Sequence, residues 1–266
     1  MVLGIATLAA MVLVPYLYWR GTWFGRPLSI QQIEQYLNDE KNPRHIQHAL
    51  VQISQKLDRG DRSAEKWYPR IAVLAGHPVA ELRVTAAWVM GRDSHSELFH
   101  QALGVLLRDP EPIVRRNAAL ALANFHDAAA RPELRAMLEP YTLRAPREGV
   151  LTYRLKVGEM VNRGTLVARL ETGEKEPTEV RAPLPGKLEF KMVSDGARMK
   201  QNEEIVVLAP SPDHVWEALR ALYLVGTPED LAAVEKFTLP ASEWPERIAQ
   251  QAALTSQQIR ARAHGP

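Results

Sequence analysis

The chain repeats itself between Leu143 and Ala209. LRAPREGVLTYRLKVGEMVNRGTLVARLE, Leu143 to Glu171, is followed by VRAPLPGKLEFKMVSDGARMKQNEEIVVLA, Val180 to Ala209. Arg144-Ala145-Pro146 returns as Arg181-Ala182-Pro183 and Gly149 as Gly186, both 37 residues on, while Gly158 returns as Gly196 at 38. Each copy alternates apolar and polar residues between glycine turns, the period-two pattern of short strands. This predicts a β-domain made of two similar strand sets related by a pseudo-twofold axis.

Helical periodicity surrounds that domain. Leu28, Ile30, Ile33, Tyr36 and Leu37 recur at helix-face spacing, and Ile46, Ala49, Leu50, Ile53 and Leu57 do so again, with Asn42-Pro43 and Gly60-Asp61 as punctuation. LRVTAAWVMG from Leu82 aligns with VRRNAALALA from Val114 at an offset of 32, a spacing typical of helical repeat arrays. Both segments follow a proline and an acidic residue, carry arginine near the helix start, and place paired alanines together, Ala86-Ala87 and Ala118-Ala119. Leu98 to Leu107 is predicted to supply the second helical layer. After the β-domain, Val215, Ala218, Leu219, Leu222 and Leu231 define further helices, and a last polar helix is expected from about Ser242 to Ala263.

The N-terminal run VLGIATLAAMVLVPYLYW, Val2 to Trp19, is uncharged for 18 residues. As a helix it is roughly 27 Å long, near the hydrocarbon thickness of a bilayer. Tyr16, Tyr18, Trp19 and Trp23 gather at its downstream end, followed by Arg20 and Arg26. Amphipathic rings favour the interface and basic residues the cytoplasmic side, so a single transmembrane helix with a cytoplasmic soluble part is predicted.

Residues 28–140 resemble HEAT repeats of the short bacterial kind, on Asp109-Pro110-Glu111-Pro112, Val114, Arg115 and Ala118-Ala119-Leu120. The resemblance implies a solenoid that serves as a binding surface. Residues 142–210 resemble the biotinyl/lipoyl-carrier fold, a flattened sandwich of two four-stranded halves also used in membrane fusion proteins of export pumps. The expected fold class is therefore multidomain α + β. Residues 1–24 form a transmembrane anchor, 25–140 HEAT-like repeats, 141–210 a biotinyl/lipoyl-like all-β sandwich, and 211–266 C-terminal HEAT-like helices.

In carriers, the resemblance implies, the modified lysine lies five residues before the valine of a Val-x-Ala-Pro run. Lys175 stands at that distance from Val180-Arg181-Ala182-Pro183. Its neighbours differ: biotin carriers flank the lysine with methionines, here Glu174 and Glu176, and lipoyl carriers read Glu-Thr-Asp-Lys-Ala, here Glu171-Thr172-Gly173-Glu174-Lys175. Lys175 is accordingly expected to be an unmodified turn lysine paired with the flanking carboxylates, with lipoate or biotin attachment as the alternative. Export adaptors place a long helical hairpin between the halves; Thr172 to Glu179 is only eight residues, which weighs against a transport adaptor.

A net charge of +2 without a basic cluster gives no footing for nucleic acid, and the absence of cysteine removes thiolate metal sites and thiol nucleophiles. No metal site is expected: His45 and His48 sit three apart beside Arg44 and are assigned to a solvated helix face, while His95, Glu97 and His100 are not expected to share one. No phosphate loop, nucleotide fingerprint or nucleophile elbow occurs, so neither catalysis nor a small-molecule substrate is expected. Trp88 and Trp67-Tyr68 are assigned to core filling. Arg83, Arg115 and Arg116 are the candidate partner-binding residues, with pairing to Glu81, Asp109 or Glu111 as their structural alternative. These features predict a membrane-anchored, non-catalytic scaffold for other proteins of a membrane-associated complex.

Overall fold

The structure, a computed structural model, describes residues 27–174, 176–239 and 244–264. Val2 to Trp19 lies outside the described residues, and among those described no helix is long and apolar enough to cross a membrane. The chain divides into two compact units, 1–102 and 103–266.

The first unit is helical. Helix α1 (Ile30–Leu37) starts where Ser29 and Gln32 form a reciprocal capping box, Gln32 N donating to Ser29 Oγ at 3.2 Å and Ser29 N to Gln32 Oε1 at 3.0 Å. Pro43, with its φ preset for a first helical turn, opens α2 (Pro43–Asp58). Ile33 and Leu37 meet Ile46, Ala49, Leu50 and Ile53 in a water-free seam. Two 3₁₀ turns (Arg62–Trp67 and Leu74–Gly76) flank α3 (Tyr68–Val73), and α4 (Ala80–Met90) packs on α2. Helix α5 (Glu97–Leu106) contains the division between the units.

The second unit starts its helical layer with α6 (Pro112–Asn124) and α7 (Arg131–Ala136), leaves it for eight strands, and returns with α8 (Pro212–Val225), α9 (Leu231–Glu235) and α10 (Glu246–His264). Helices α6 and α7 both pack on α8, which in turn packs on α10. The β-domain is thus inserted into a layer that closes behind it. Insertion is cheap in chain entropy because the ends are adjacent: Tyr141, where the strands begin, pairs with Leu208, two residues before they end. The last helix departs from the expected polar one, since Ile248, Ala252, Thr255 and Ile259 form a fully buried stripe at helical spacing. Its polar member is satisfied, Thr255 Oγ1 donating to Leu219 O at 2.9 Å.

The strands are β1 (Tyr141–Arg144), β2 (Gly149–Tyr153), β3 (Met160–Val161), β4 (Leu166–Glu171), β5 (Thr178–Arg181), β6 (Gly186–Lys191), β7 (Arg198–Met199) and β8 (Glu204–Pro210). They form two antiparallel sheets, β1-β8-β6-β3 and β5-β4-β2-β7. Advancing every strand by four converts one sheet into the other, so the internal twofold is real at the level of topology. Neither half forms a sheet alone; each sheet takes two strands from each copy, and the halves interlock.

The core repeats pair by pair. Leu143, Ala145, Leu151, Val161, Val167, Ala168 and Leu170 correspond to Val180, Ala182, Leu188, Met199, Ile205, Val206 and Leu208, and these fourteen buried residues constitute the core. Cross-links between halves are reciprocal as well. Gly158 N donates to Leu188 O at 2.7 Å and Gly196 N to Leu151 O at 2.8 Å; Ala145 N donates to Glu203 O and Ala182 N to Thr165 O at 2.8 and 2.9 Å. A register irregularity between Leu188 and Phe190 marks where the second copy gains its extra residue, which is why the offset passes from 37 to 38. Gly149 and Gly186 recur because strands cross closely there: a Cβ on Gly149 would lie 2.8 Å from Glu171 O, and one on Gly186 2.3 Å from Ala209 O.

Candidate functional site

The helical repeats use arginine to close their own turns. Arg83 Nη1 donates to His77 O and Pro78 O at 2.8 and 3.2 Å, and Arg115 Nη1 donates to Asp109 O and Pro110 O at the same distances. The residue at the head of each turn also serves the same purpose in both repeats, His77 Nδ1 accepting Val79 N at 3.0 Å and Asp109 Oδ1 accepting Glu111 N at 2.9 Å. Carbonyls left over before a helix start need donors, and an arginine one turn into the helix reaches them. Arg83 and Arg115 are half-buried by this task.

Arg116 differs from the expectation of a surface contact: it is 3% exposed. Its Nη1 lies 3.1 Å from His214 Nδ1 and its Nε 3.9 Å from Glu133 Oε1, while Arg115 Nε donates to Glu133 Oε2 at 3.1 Å. Arg115 and Arg116 therefore converge on one glutamate, and Arg116 bridges to α8 across the inserted strands. Burial lowers the Arg116 guanidinium to about 10, so it stays charged at neutral pH. Burial, followed by the Arg116 charge, holds His214 down at about 4, which leaves the ring neutral and able to accept the Arg116 hydrogen. Apolar periodicity in α6 and α8 gave no sign of this polar link between residues 98 positions apart.

Three other residue assignments change with the coordinates. His48 is buried at 2% exposure, and His45 stacks on Tyr36 (centroids 4.1 Å apart) while its Nδ1 lies 2.5 Å from Asp39 Oδ2; these are packing and pairing positions, not a solvated face. Glu97 and His100 do share a face, one turn apart, with Nδ1 and Oε2 3.7 Å apart. Trp67 and Tyr68 are buried, but Trp88 is 38% exposed with the Arg92 guanidinium 4.4 Å from its ring centroid. No three metal-ligating side chains converge among the described residues.

Arg92, whose guanidinium stacks on Trp88, borders an open cleft of about 450 Å³ in the first unit, lined by Asp61, Arg62, Glu65, Tyr68, Arg92 and Asp93, among others. Its polar walls are held in place. Lys56 Nζ lies 2.8 Å from Asp61 Oδ2, and that hydrogen bond, with those from Ser63, pulls the Asp61 carboxyl down to about 2. Tyr68 Oη donates to Asp93 Oδ2 at 2.7 Å. Burial and then this carboxylate push the phenol upward; for Asp93, burial pushes up but the hydrogen bonds from Tyr68 and His95 prevail and lower it. Asp93, His95 and Ser96 all reach the cleft, yet Ser96 Oγ accepts Phe99 N at 3.3 Å and has no hydrogen bond to His95 among the described residues. The cleft thus offers charges of both signs beside the Tyr68 ring, a chemistry suited to a polar peptide segment.

Lys175 lies outside the described residues, on the connection between β4 and β5. On its flank, Glu174 pairs with Arg147 of the β1–β2 turn at 2.9 Å, across the end of the sandwich opposite the chain's entry and exit.

Residues 69–146 match the family described as HEAT repeats, from the start of α3 to just beyond β1. No curated protein matches the chain. A solved structure, titled as a single-chain, multi-domain long-chain acyl-CoA carboxylase, is similar at 16% identity, with 52% of this chain and 14% of that chain covered and a TM-score of 0.26. The chain thus spans about a seventh of that protein. Residues 69–146 therefore carry HEAT repeats, within a mixed α and antiparallel-β chain, and HEAT arrays in general mediate protein–protein contact.

Proposed function

We propose that the protein is a membrane-anchored, non-catalytic scaffold that binds partner proteins through its helical repeats and an unmodified biotinyl/lipoyl-like sandwich. The observation that carries this reading is the HEAT match over residues 69–146. The charged cleft at Arg92 is the first candidate for a partner segment, because Asp61, Tyr68, Arg92 and Asp93 are held in position before anything binds. The uncharged run Val2–Trp19 followed by Arg20 and Arg26 supports a single span with the repeats in the cytoplasm. Mild detergent extraction of the tagged full chain should bring down a protein in near-stoichiometric amount; recovery of the chain alone would defeat the scaffold reading. Alkaline carbonate extraction and protease accessibility from each side of the membrane test the anchor and its orientation.

A second reading, a lipoyl or biotin carrier subunit, is favoured by one feature: Lys175 stands five residues before Val180 on the β4–β5 connection of an internally twofold sandwich. Intact mass of the native protein distinguishes the two, since a lipoyl or biotinyl increment on the Lys175 peptide belongs only to the carrier.

A further inference from the structure

The two copies of the strand set share a core but not a surface. On β5-β4-β2-β7 the outward positions include Arg198, Arg169 and Glu179, and Arg169 Nη2 donates to Glu179 Oε1 at 3.3 Å. The twofold-equivalent positions on β1-β8-β6-β3 carry Met160, Val207 and Thr142. Thr152, which faces Arg169, corresponds to Phe190, which faces Val207. In the turns, Asp195 accepts Tyr153 N at 2.7 Å, whereas its counterpart is Val157.

Val157, Met160, Phe190 and Met192 are 58, 62, 57 and 45% exposed, and they are the exposed large hydrophobics of the sandwich among the described residues. They belong to one surface. Gly158 N and Glu159 O both bond Leu188, holding the 157–160 segment beside β6, and Met160 stands opposite Lys187. Four cations border them, Arg154, Lys156, Lys187 and Lys191, the last with its Nζ 4.2 Å from the Tyr153 ring centroid, and they outnumber the two acids of the same segments, Glu159 and Glu189. None of the four enters an ion pair among the described residues, in contrast to the paired arginines of the opposite sheet.

We propose that this face of the sandwich docks onto an anionic lipid surface, its apolar tips entering the headgroup region while the surrounding cations meet lipid phosphates. Charge complementarity selects this occupant: four cations against two acids leave a net positive rim around the apolar tips, which matches a negative plane. Three of the four are lysines, point charges on flexible stems that suit laterally mobile phosphates better than the fixed fork geometry for which arginine is favoured in protein partners. The proposal rests on the anchored reading only for the nearness of a bilayer.

The cysteine-free chain permits clean single-site labelling. Met160→Cys and Arg198→Cys, at twofold-equivalent edge positions, are labelled with an environment-sensitive fluorophore in the full chain. Each is reconstituted into liposomes of phosphatidylcholine with about 30 mol % phosphatidylserine, and into phosphatidylcholine alone. Emission at position 160 should rise about threefold on the anionic vesicles alone, position 198 should not respond, and adding Lys156→Gln and Lys187→Gln should return position 160 to its neutral-vesicle value. Equal signals at 160 and 198, equal signals on both vesicles, or a rise at 160 with protein concentration in the absence of lipid, which would mean a second copy covers the face, would each overturn the proposal. Carbonate extraction of the same liposomes decides the anchor independently, since a stripped chain defeats the anchor whatever the label reports.

Discussion

Asp230 holds together the helical layer on the two sides of the inserted sandwich, and its removal should unfold that layer selectively. The residue is fully buried. Its Oδ2 accepts Arg131 Nε and Thr227 N, both at 2.8 Å, and Arg135 Nε lies 3.4 Å from Oδ1, which accepts no hydrogen bond among the described residues. The Asp230 hydrogen bond is the chief reason that the Arg131 guanidinium sits above its ordinary range. Asp230→Ala leaves Arg131, only 16% exposed, with the 76%-exposed Glu229 as its remaining partner, and orphans Thr227 N. An uncompensated buried charge costs about 3–5 kcal/mol, within which one orphaned donor accounts for about 1–3. Asp230→Asn keeps an acceptor for Thr227 N and should cost about half as much. In urea unfolding, the Arg131→Met/Asp230→Ala double variant should be more stable than the sum of the singles by about 2 kcal/mol, because neither partner is then left stranded. Native-state hydrogen exchange gives the sharper test. Amides of α7, α8 and α9 should lose protection in Asp230→Ala, whereas β2, β4, β6 and β8, whose core contains only sandwich residues, should keep theirs. A cost below about 1 kcal/mol, or parallel loss of protection in the strands, would refute the argument.

The strand crossings should respond unequally: Gly186→Ala, with its Cβ 2.3 Å from Ala209 O, is expected to cost about 3 kcal/mol, and Gly149→Ala, at 2.8 Å from Glu171 O, about 1–2, measured by thermal unfolding. His214 is neutral in the fold and titrates at about 4 instead of 6.5, so the unfolded chain takes up its proton first as pH falls. Its contribution is present above pH 6.5 and lost towards pH 4, at most about 3 kcal/mol; His214→Gln should flatten this part of the pH–stability curve measured by urea unfolding from pH 7 to 4.5. Tyr68→Phe removes the 2.7 Å bond to Asp93 and should lower stability by about 1–2 kcal/mol by urea unfolding, and NMR titration should find the Asp93 carboxyl at higher pKa.

Much of the helical part was legible because helix formation and burial both follow local periodicity. Ile33, Leu37, Ile46, Ala49, Leu50 and Ile53 are buried as their spacing predicts, and the paired alanines of both repeats are fully enclosed. The last helix reads as polar in the sequence because one buried position is Thr255, whose hydroxyl donates to a carbonyl of α8, 36 residues away. Arg116 reads as a surface residue for the same reason: its partners Glu133 and His214 come from two other helices. Trp88 reads as core between two buried neighbours, Ala87 and Val89, yet it takes the one position of that helical turn that faces outward.

By itself the sequence determined the duplication, the two periodicities and the positions where strands and helices begin, since each depends on near-neighbour spacing alone. It also contained the Lys175 to Val180 spacing and the change of offset from 37 to 38. Only the tertiary structure decided that the sheets draw strands from both copies, and that the helical layer closes behind the sandwich through Arg116, Arg131 and Asp230. The same holds for which sheet presents charges and which presents bare apolar residues. The physical reason is range: hydrogen bonds and ion pairs between residues nearly a hundred positions apart leave no periodic trace, and only packing determines which side chains water still reaches.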